Sequence, residues 1–205
     1  MPNLLNNKFR YTPANIEKVS ILLAEFEEER NFSNKAGRFL FDLIERCNDP
    51  NYVVHTTHLG VGIDVQLPGA DIPRNLRVNG SVKSVGKFLR QGSITVEGNV
   101  QEYVGLDMDN GEILVKGNVL ERNGSVGGNM RDGIITIEGD VASAIVGGAM
   151  VNGRITIKGN CKGRIGDGMR GGEIHLEGDY GTIGNVIGGK IYHKGKLIVD
   201  ATDSQ

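Results

Sequence analysis

Gly92-Ser-Ile94-Thr-Val96-Glu-Gly98-Asn99-Val100 and Gly111-Glu-Ile113-Leu-Val115-Lys-Gly117-Asn118-Val119 are two copies of one unit. The unit returns at Gly133, Gly153 and Gly172, and more loosely at Gly189, ending Gly195-Lys196-Leu197. A fainter copy, Leu76-Arg-Val78-Asn-Gly80-Ser-Val82, comes first. A second shared piece lies between copies: Val104-Gly105-Leu-Asp-Met108, then Val126 to Met130, Val146 to Met150 and Ile165 to Met169. Weaker forms are Val85 to Leu89 and Ile183 to Ile187. The Val or Ile opening this piece and the last apolar residue of the following unit keep a fixed separation: 85 to 100, 104 to 119, 126 to 141, 146 to 161, 165 to 180. Length varies only between those blocks, so one corner of each unit is expected to be elastic.

A period of about 19 residues is the mark of a solenoid. No Leu-x-x-Leu-x-Leu frame is present, and no room remains in a repeat for a helix. β-branched residues alternate, as in strands with one buried face. The pattern predicts a parallel β-helix of about seven coils, roughly 30 Å long at about 4.8 Å per strand.

Stacking predicts ladders. Ile94, Ile113, Ile135, Ile155, Ile174 and Ile191 form an inner column, and Met108, Met130, Met150 and Met169 a second, where pliable thioethers fill the tube. Outside, Glu97, Lys116, Glu138, Lys158, Glu177 and Lys194 alternate in sign from coil to coil. Asn99, Asn118, Asp140, Asn160 and Asp179 follow a corner glycine and are expected to satisfy turn backbone groups.

The chain has 205 residues, a net charge of −2, 31 glycines and no tryptophan. Periodic glycine means repeated corners rather than disorder. The charge gives no electrostatic case for nucleic acid or an anionic membrane. No membrane span or signal core is legible, so the expected location is the cytoplasm. Cys47 and Cys161 are too few for a disulfide framework or an iron–sulfur cluster. Cys161 stands where other coils place Val, the place of a small core residue.

The domain reading is a helical region over 1–60, a connection over 61–75, the β-helix over 76–199 and a tail over 200–205. Thr12-Pro13 caps a first helix with a stripe of Ile16, Val19, Leu22, Leu23 and Phe26. Ser33 or Asn34 caps a second, with Ala36, Phe39, Leu40, Leu43, Ile44 and Cys47 on one face until Asp49-Pro50. Both are too short to stand alone. They are expected to cover β-helix surface near the first coils, which little else protects, or to join a second subunit there. Tyr52 to His55 and Val61 to Val65 are strand-like.

Gly166-Asp-Gly168-Met-Arg-Gly171 matches a dinucleotide fingerprint, but the mechanism needs a helix next and a strand follows. Gly184 to Lys190 imitates a phosphate loop, yet Ile191 replaces the magnesium-holding hydroxyl. His55 and His58 are a possible metal-ligand pair, with a polar surface pair as the plainer reading. Asp107, Asp109, Asp132 and Asp167 cluster near the Met corners, as solvated corners or an interaction site. No Ser/His/Asp or Cys/His set assembles by pattern. No catalytic, cofactor-binding or metal residue is assigned, and no cofactor is expected.

Val-Gly-x-x-Met-x-x-Gly-x-Ile-x-Val-x-Gly-Asn/Asp, at 126–140, 146–160 and 165–179, resembles the GXGXG β-helix family. That family includes the β-helix subunit of formylmethanofuran dehydrogenase and the C-terminal domain of the glutamate synthase large subunit. The resemblance covers about residues 76–199. It implies a right-handed β-helix with a structural role, holding together catalytic parts that lie elsewhere, beside redox or amidotransferase partners. This chain begins Met1-Pro2, without the cysteine nucleophile that glutamate synthase uses on glutamine, and it lacks cluster cysteines. Protein partners or a homo-oligomer are therefore expected. The alternative is an enzyme or ligand-binding protein with a site between subunits, near His55/His58 or the acidic corners.

Overall fold

A computed structural model describes residues 11–24, 32–56, 64, 65, 67, 73–121, 123–142 and 145–202. The chain is a mainly β solenoid with two helices at its N-terminus. Its strands fall into two sheets. The first holds β1 (Asn51–His55), β3 (Asn75–Asn79), β5 (Ser93–Val96), β7 (Glu112–Val115), β9 (Ile134–Ile137), β11 (Arg154–Ile157), β13 (Arg170–Leu176), β15 (Gly188–His193) and β16 (Lys196–Asp200), in that order. The second holds β2 (Asp64–Val65), β4 (Val82–Val85), β6 (Val100–Val104), β8 (Ser125–Val126), β10 (Ile145–Val146), β12 (Cys161–Ile165) and β14 (Tyr180–Ile183). All pairings are parallel except β15 with β16, and the coil number is close to the expected seven.

The inner column is continuous. Tyr52, Leu76, Ile94, Ile113, Ile135, Ile155, Ile174 and Ile191 are successive Cα partners, all buried. A parallel stack repeats every side chain at the strand spacing, so β-branched residues pack on copies of themselves. The methionine column is also buried, and each methyl end reaches the glycine corner one coil on. A Cβ on Gly133 would stand 2.6 Å from Met108 Cε, and Gly133 has φ +102°. Glycine is required there twice, by conformation and by space.

The elastic segment is not a corner but the middle of the second sheet. β4, β6, β12 and β14 run through it as strands, with register shifts after Val82 and Cys161. Where the segment is longer, Val119 and Val141 hold the stack only by isolated parallel bridges, and two-residue strands resume at Ser125 and Ile145. The buried Val at either end fixes the rung, so the residues between are free to bulge outward.

The stack begins earlier than Leu76, because β1 already pairs with β3 in full register and β2 with β4. Helix α1 (Pro13–Ala24) is capped by Thr12, whose hydroxyl accepts the Asn15 N–H at 3.3 Å. It packs on β1, and α2 (Phe32–Glu45) packs on β2. Ile16, Ala36, Leu40, Leu43, Ile44 and Cys47 are buried in the same core as the coils. Two stripe assignments fail: Leu22 is 59% exposed and Phe39 47%. The buried seam of α1 runs through Ile16 and Ser20 instead, and that of α2 leans toward Ile44. Phe26 and the strand-like stretch from Val61 to Ile63 lie outside the described residues.

The last coil departs from expectation. Gly195-Lys196-Leu197 aligns with a further unit, but the chain reverses there. Lys194 and Gly195 have φ +49° and +74°, the pair of positive values that a tight hairpin turn needs, and β16 returns antiparallel to β15. Lys196 stands where the other coils put Asn or Asp, so the acceptor that continues the corner is missing.

Candidate functional site

The corner after each strand of the first sheet carries the main polar column. Asn99 Oδ1 accepts the Asn118 N–H at 2.7 Å, Asn118 Oδ1 that of Asp140 at 2.7 Å, and Asp140 Oδ1 that of Asn160 at 2.7 Å. Asn160 Oδ1 accepts from Asp179 at 2.9 Å, and Ser81 Oγ begins the series by accepting from Asn99 at 2.9 Å. Each side chain satisfies a backbone donor one coil away, where the glycine beside it brings the coils close.

The charged column beside it stacks as expected but pairs in twos. Lys116 meets Glu97 at 2.9 Å and Lys158 meets Glu138 at 2.9 Å, with Arg77 adding a contact to Glu97 at 2.9 Å. The Lys158 ammonium holds the Glu138 carboxyl below the usual range, chiefly by its hydrogen bond. Glu177 makes no ion pair among the described residues, because Lys194 is carried into the hairpin turn.

The acidic corner residues are largely engaged. Asp109 is held between Arg90 at 3.7 Å and Arg131. Asp107 accepts from the Asn129 amide at 3.0 Å, and Asp132 accepts the Gly133 N–H at 2.8 Å. Asp167 bonds Arg164 and the Asn185 N–H. Phe88, Arg90, Asp107, Asp109, Asn129, Arg131 and Arg170 line a groove of about 690 Å³ on this side. Among the described residues no three His, Cys, Asp or Glu side chains converge as metal ligands.

His55 docks a helix. Its Nε2 lies 2.8 Å from Glu17 Oε1, and its N–H donates to Ser20 Oγ at 2.9 Å. His58 lies outside the described residues. His175 and Tyr192, partners on adjacent strands, stack with centroids 4.6 Å apart. Glu173 accepts from His175 and from Arg154, which together pull its carboxyl below the usual range. His193 pairs with Leu176, lies 3.1 Å from the Gly178 carbonyl and meets the Tyr180 ring edge-on. Cys161 is a core residue, and burial pushes its thiol up. The dinucleotide-like glycines precede and enter β13, and the phosphate-loop mimic runs into β15; no helix receives either.

One column had no sequence signal. Phe88, Asp107, Asn129, Ala149 and Gly168 all have φ between +52° and +69°. They share a backbone state and no side-chain type, and only the frequent Asp, Asn and Gly hint at it. Phe88 is the outlier, 55% exposed with the Lys87 ammonium 5.2 Å from its ring centroid.

No family model, curated protein or solved structure matches the chain. Among the described residues no helix is long and apolar enough to cross a membrane.

Proposed function

We propose that the chain is a non-catalytic scaffold, of the kind implied by its resemblance to the β-helices of formylmethanofuran dehydrogenase and glutamate synthase. It would assemble with redox or amidotransferase partners that carry the chemistry. One observation carries this reading: the repeated polar side chains are directed at the neighbouring coil. The Asn/Asp corner bonds backbone in the next coil, the charged column pairs within itself, and three of the four acidic corner residues bond across coils. An array used in this way builds a stiff rod with extended faces, which is what a solenoid offers to partners. Native mass measurement of the complex isolated from source cells tests it. Recovery of a redox or amidotransferase partner in fixed proportion is expected; a solitary chain contradicts the proposal.

The groove beside Asp107 and Asp109 favours a second reading, a ligand-binding site completed by another subunit. Bound metal in the purified protein, or a rise in melting temperature with a candidate ligand, would select it over scaffolding.

A further inference from the structure

A solenoid of two sheets has four edge strands, and three of them are closed. β1 lies under α1, whose Ser20 hydroxyl takes an edge N–H from His55. β2 lies under α2. β15 is covered by β16, whose own free edge carries Lys196 and an out-of-register Ile198, two features that discourage further pairing. The fourth edge, β14, has no strand beyond it among the described residues. It carries no charge, Pro or Lys, and Tyr180, Gly181 and Thr182 are exposed. Among the described residues the first sheet runs one parallel strand further than the second, so a strand is missing opposite β15.

The polar corner specifies that missing strand. In the lower coils the Asn/Asp side chain accepts the N–H of the equivalent residue one coil on. The apolar residue after it donates its own N–H to that residue's carbonyl, as Val141 does to Asn160 and Cys161 to Asp179 at 2.8 Å. Asp179 is the last rung. Its carboxylate accepts no hydrogen bond among the described residues, and by the same pattern the Tyr180 N–H points at a carbonyl that the described residues do not supply.

We propose that β14 is a strand-addition site that receives an extended segment of a protein partner. The occupant's first residue donates its N–H to Asp179 and accepts from Tyr180, as each coil does to the one before it. That position is read through backbone and tolerates many side chains. The next residue is apolar, and a Val or Ile follows three or four places on to lie over Ile183, as in the spacings Val82 to Val85 and Val100 to Val104. Main-chain bonds supply affinity and the two apolar places supply selection, the mode of strand addition. The choice of a protein strand as occupant rests on the scaffold reading.

The probe is a synthetic peptide copying residues 97–105 of this chain, added to the full-length protein and followed by fluorescence anisotropy and hydrogen exchange. Saturable binding is expected, with the amides of Tyr180 and Ile183, which face the open edge, slowing by about tenfold or more. Asp179→Ala and Ile183→Pro should each weaken binding at least about tenfold, the loss of one charge-assisted or main-chain bond, while Asp179→Asn, which keeps the acceptor, should bind nearly as well. Circular dichroism checks that each variant is folded, and Asp179→Ala serves if the proline variant is not. Absence of saturable binding overturns the proposal, as does protection confined to other segments or equal binding by the folded Asp179→Ala variant. Protection of β14 that rises with protein concentration alone assigns the edge to a second copy and overturns it too. None of these failures touches the scaffold reading, which the native mass decides.

Discussion

The two ends of the solenoid stop in different ways. At the N-terminal end, elements from outside the repeat lie over the first coil. Arg74 is buried there and donates from Nη2 to the Glu45 and Cys47 carbonyls at the end of α2, at 3.4 and 3.2 Å. The Tyr52 hydroxyl donates to the Cys47 carbonyl at 3.1 Å. A cation and a hydroxyl from the first coil thus satisfy orphan carbonyls at a helix C-terminus. At the C-terminal end the repeat folds back on itself through Lys194 and Gly195, and only partly buried side chains such as Ile198 and Val199 cover the tube. One end is a second structural layer docked on the stack; the other is the stack interrupted. The first should carry much more stability than the second.

Truncation tests that contrast with the largest effect. Removing residues 1–50 uncovers β1, β2 and the apolar side chains above them, and should give aggregation or a changed assembly state by light scattering. Removing residues 196–205 should leave a soluble chain with a modestly lower melting temperature. A soluble 1–50 deletion of unchanged mass and melting point would make the helices an appendage.

Glycine substitutions compare the middle of the stack with its end. Gly133→Ala meets both a positive φ and Met108 Cε, and should cost roughly 2–4 kcal/mol in denaturant unfolding. Gly195→Ala, with φ +74° and nothing within 4 Å of the added carbon, should cost only about 1–2 kcal/mol. Equal losses would mean that the methionine column does not press on the glycine corner.

The N-terminal docking also predicts a pH dependence. Burial, with help from the neighbouring Cys47 thiol side chain, pushes the Tyr52 hydroxyl from 10.0 up to about 12. A raised value favours the neutral form in the fold, so its contribution is complete below pH 10 and is lost as pH rises from 10 toward 12. Tyr52→Phe should flatten that loss while lowering stability at neutral pH by about 1 kcal/mol. Alkaline unfolding identical to that of the parent chain would remove Tyr52 as its source.

The smallest effect is expected on the exposed charges. Lys158→Glu breaks one contact of 2.9 Å with Glu138 and places three carboxylates in a column. A loss of about 0.2–1 kcal/mol is expected at low salt, shrinking at high salt. A melting temperature insensitive to both changes would show that this column is only a solvated face.

The sequence shows the columns because stacking forces chemically similar residues into fixed spacing. Ile94 to Ile191, Met108 to Met169 and Asn99 to Asp179 all occupy the places their period assigns. Backbone states leave weaker traces. Phe88, Asp107, Asn129, Ala149 and Gly168 share a left-handed conformation that no common side chain reports. The turn at Lys194-Gly195 is hidden because Gly195 also fits the repeat, and only the Lys in place of Asn or Asp at 196 marks the break. Helix faces were legible to within one flank: Leu22 and Phe39 have helical spacing but sit off seams centred on Ser20 and toward Ile44. The elastic segment reads as a corner because length variation usually marks loops, whereas here buried Val residues at both ends keep a strand in place. For the candidate site the columns were visible and their use was not, since Asp179 differs from Asp140 only by lacking a coil above it.

Each corner side chain holds the coil that follows it. Hydrogen exchange in Asn118→Ala tests this most directly. The Asp140 N–H, which donates to Asn118 Oδ1 at 2.7 Å, should exchange about tenfold faster, while the amide of Ile135, held by main-chain pairing in the same coil, keeps its rate. An unchanged Asp140 amide, or equal acceleration at Ile135, would contradict a stack joined through its corner residues.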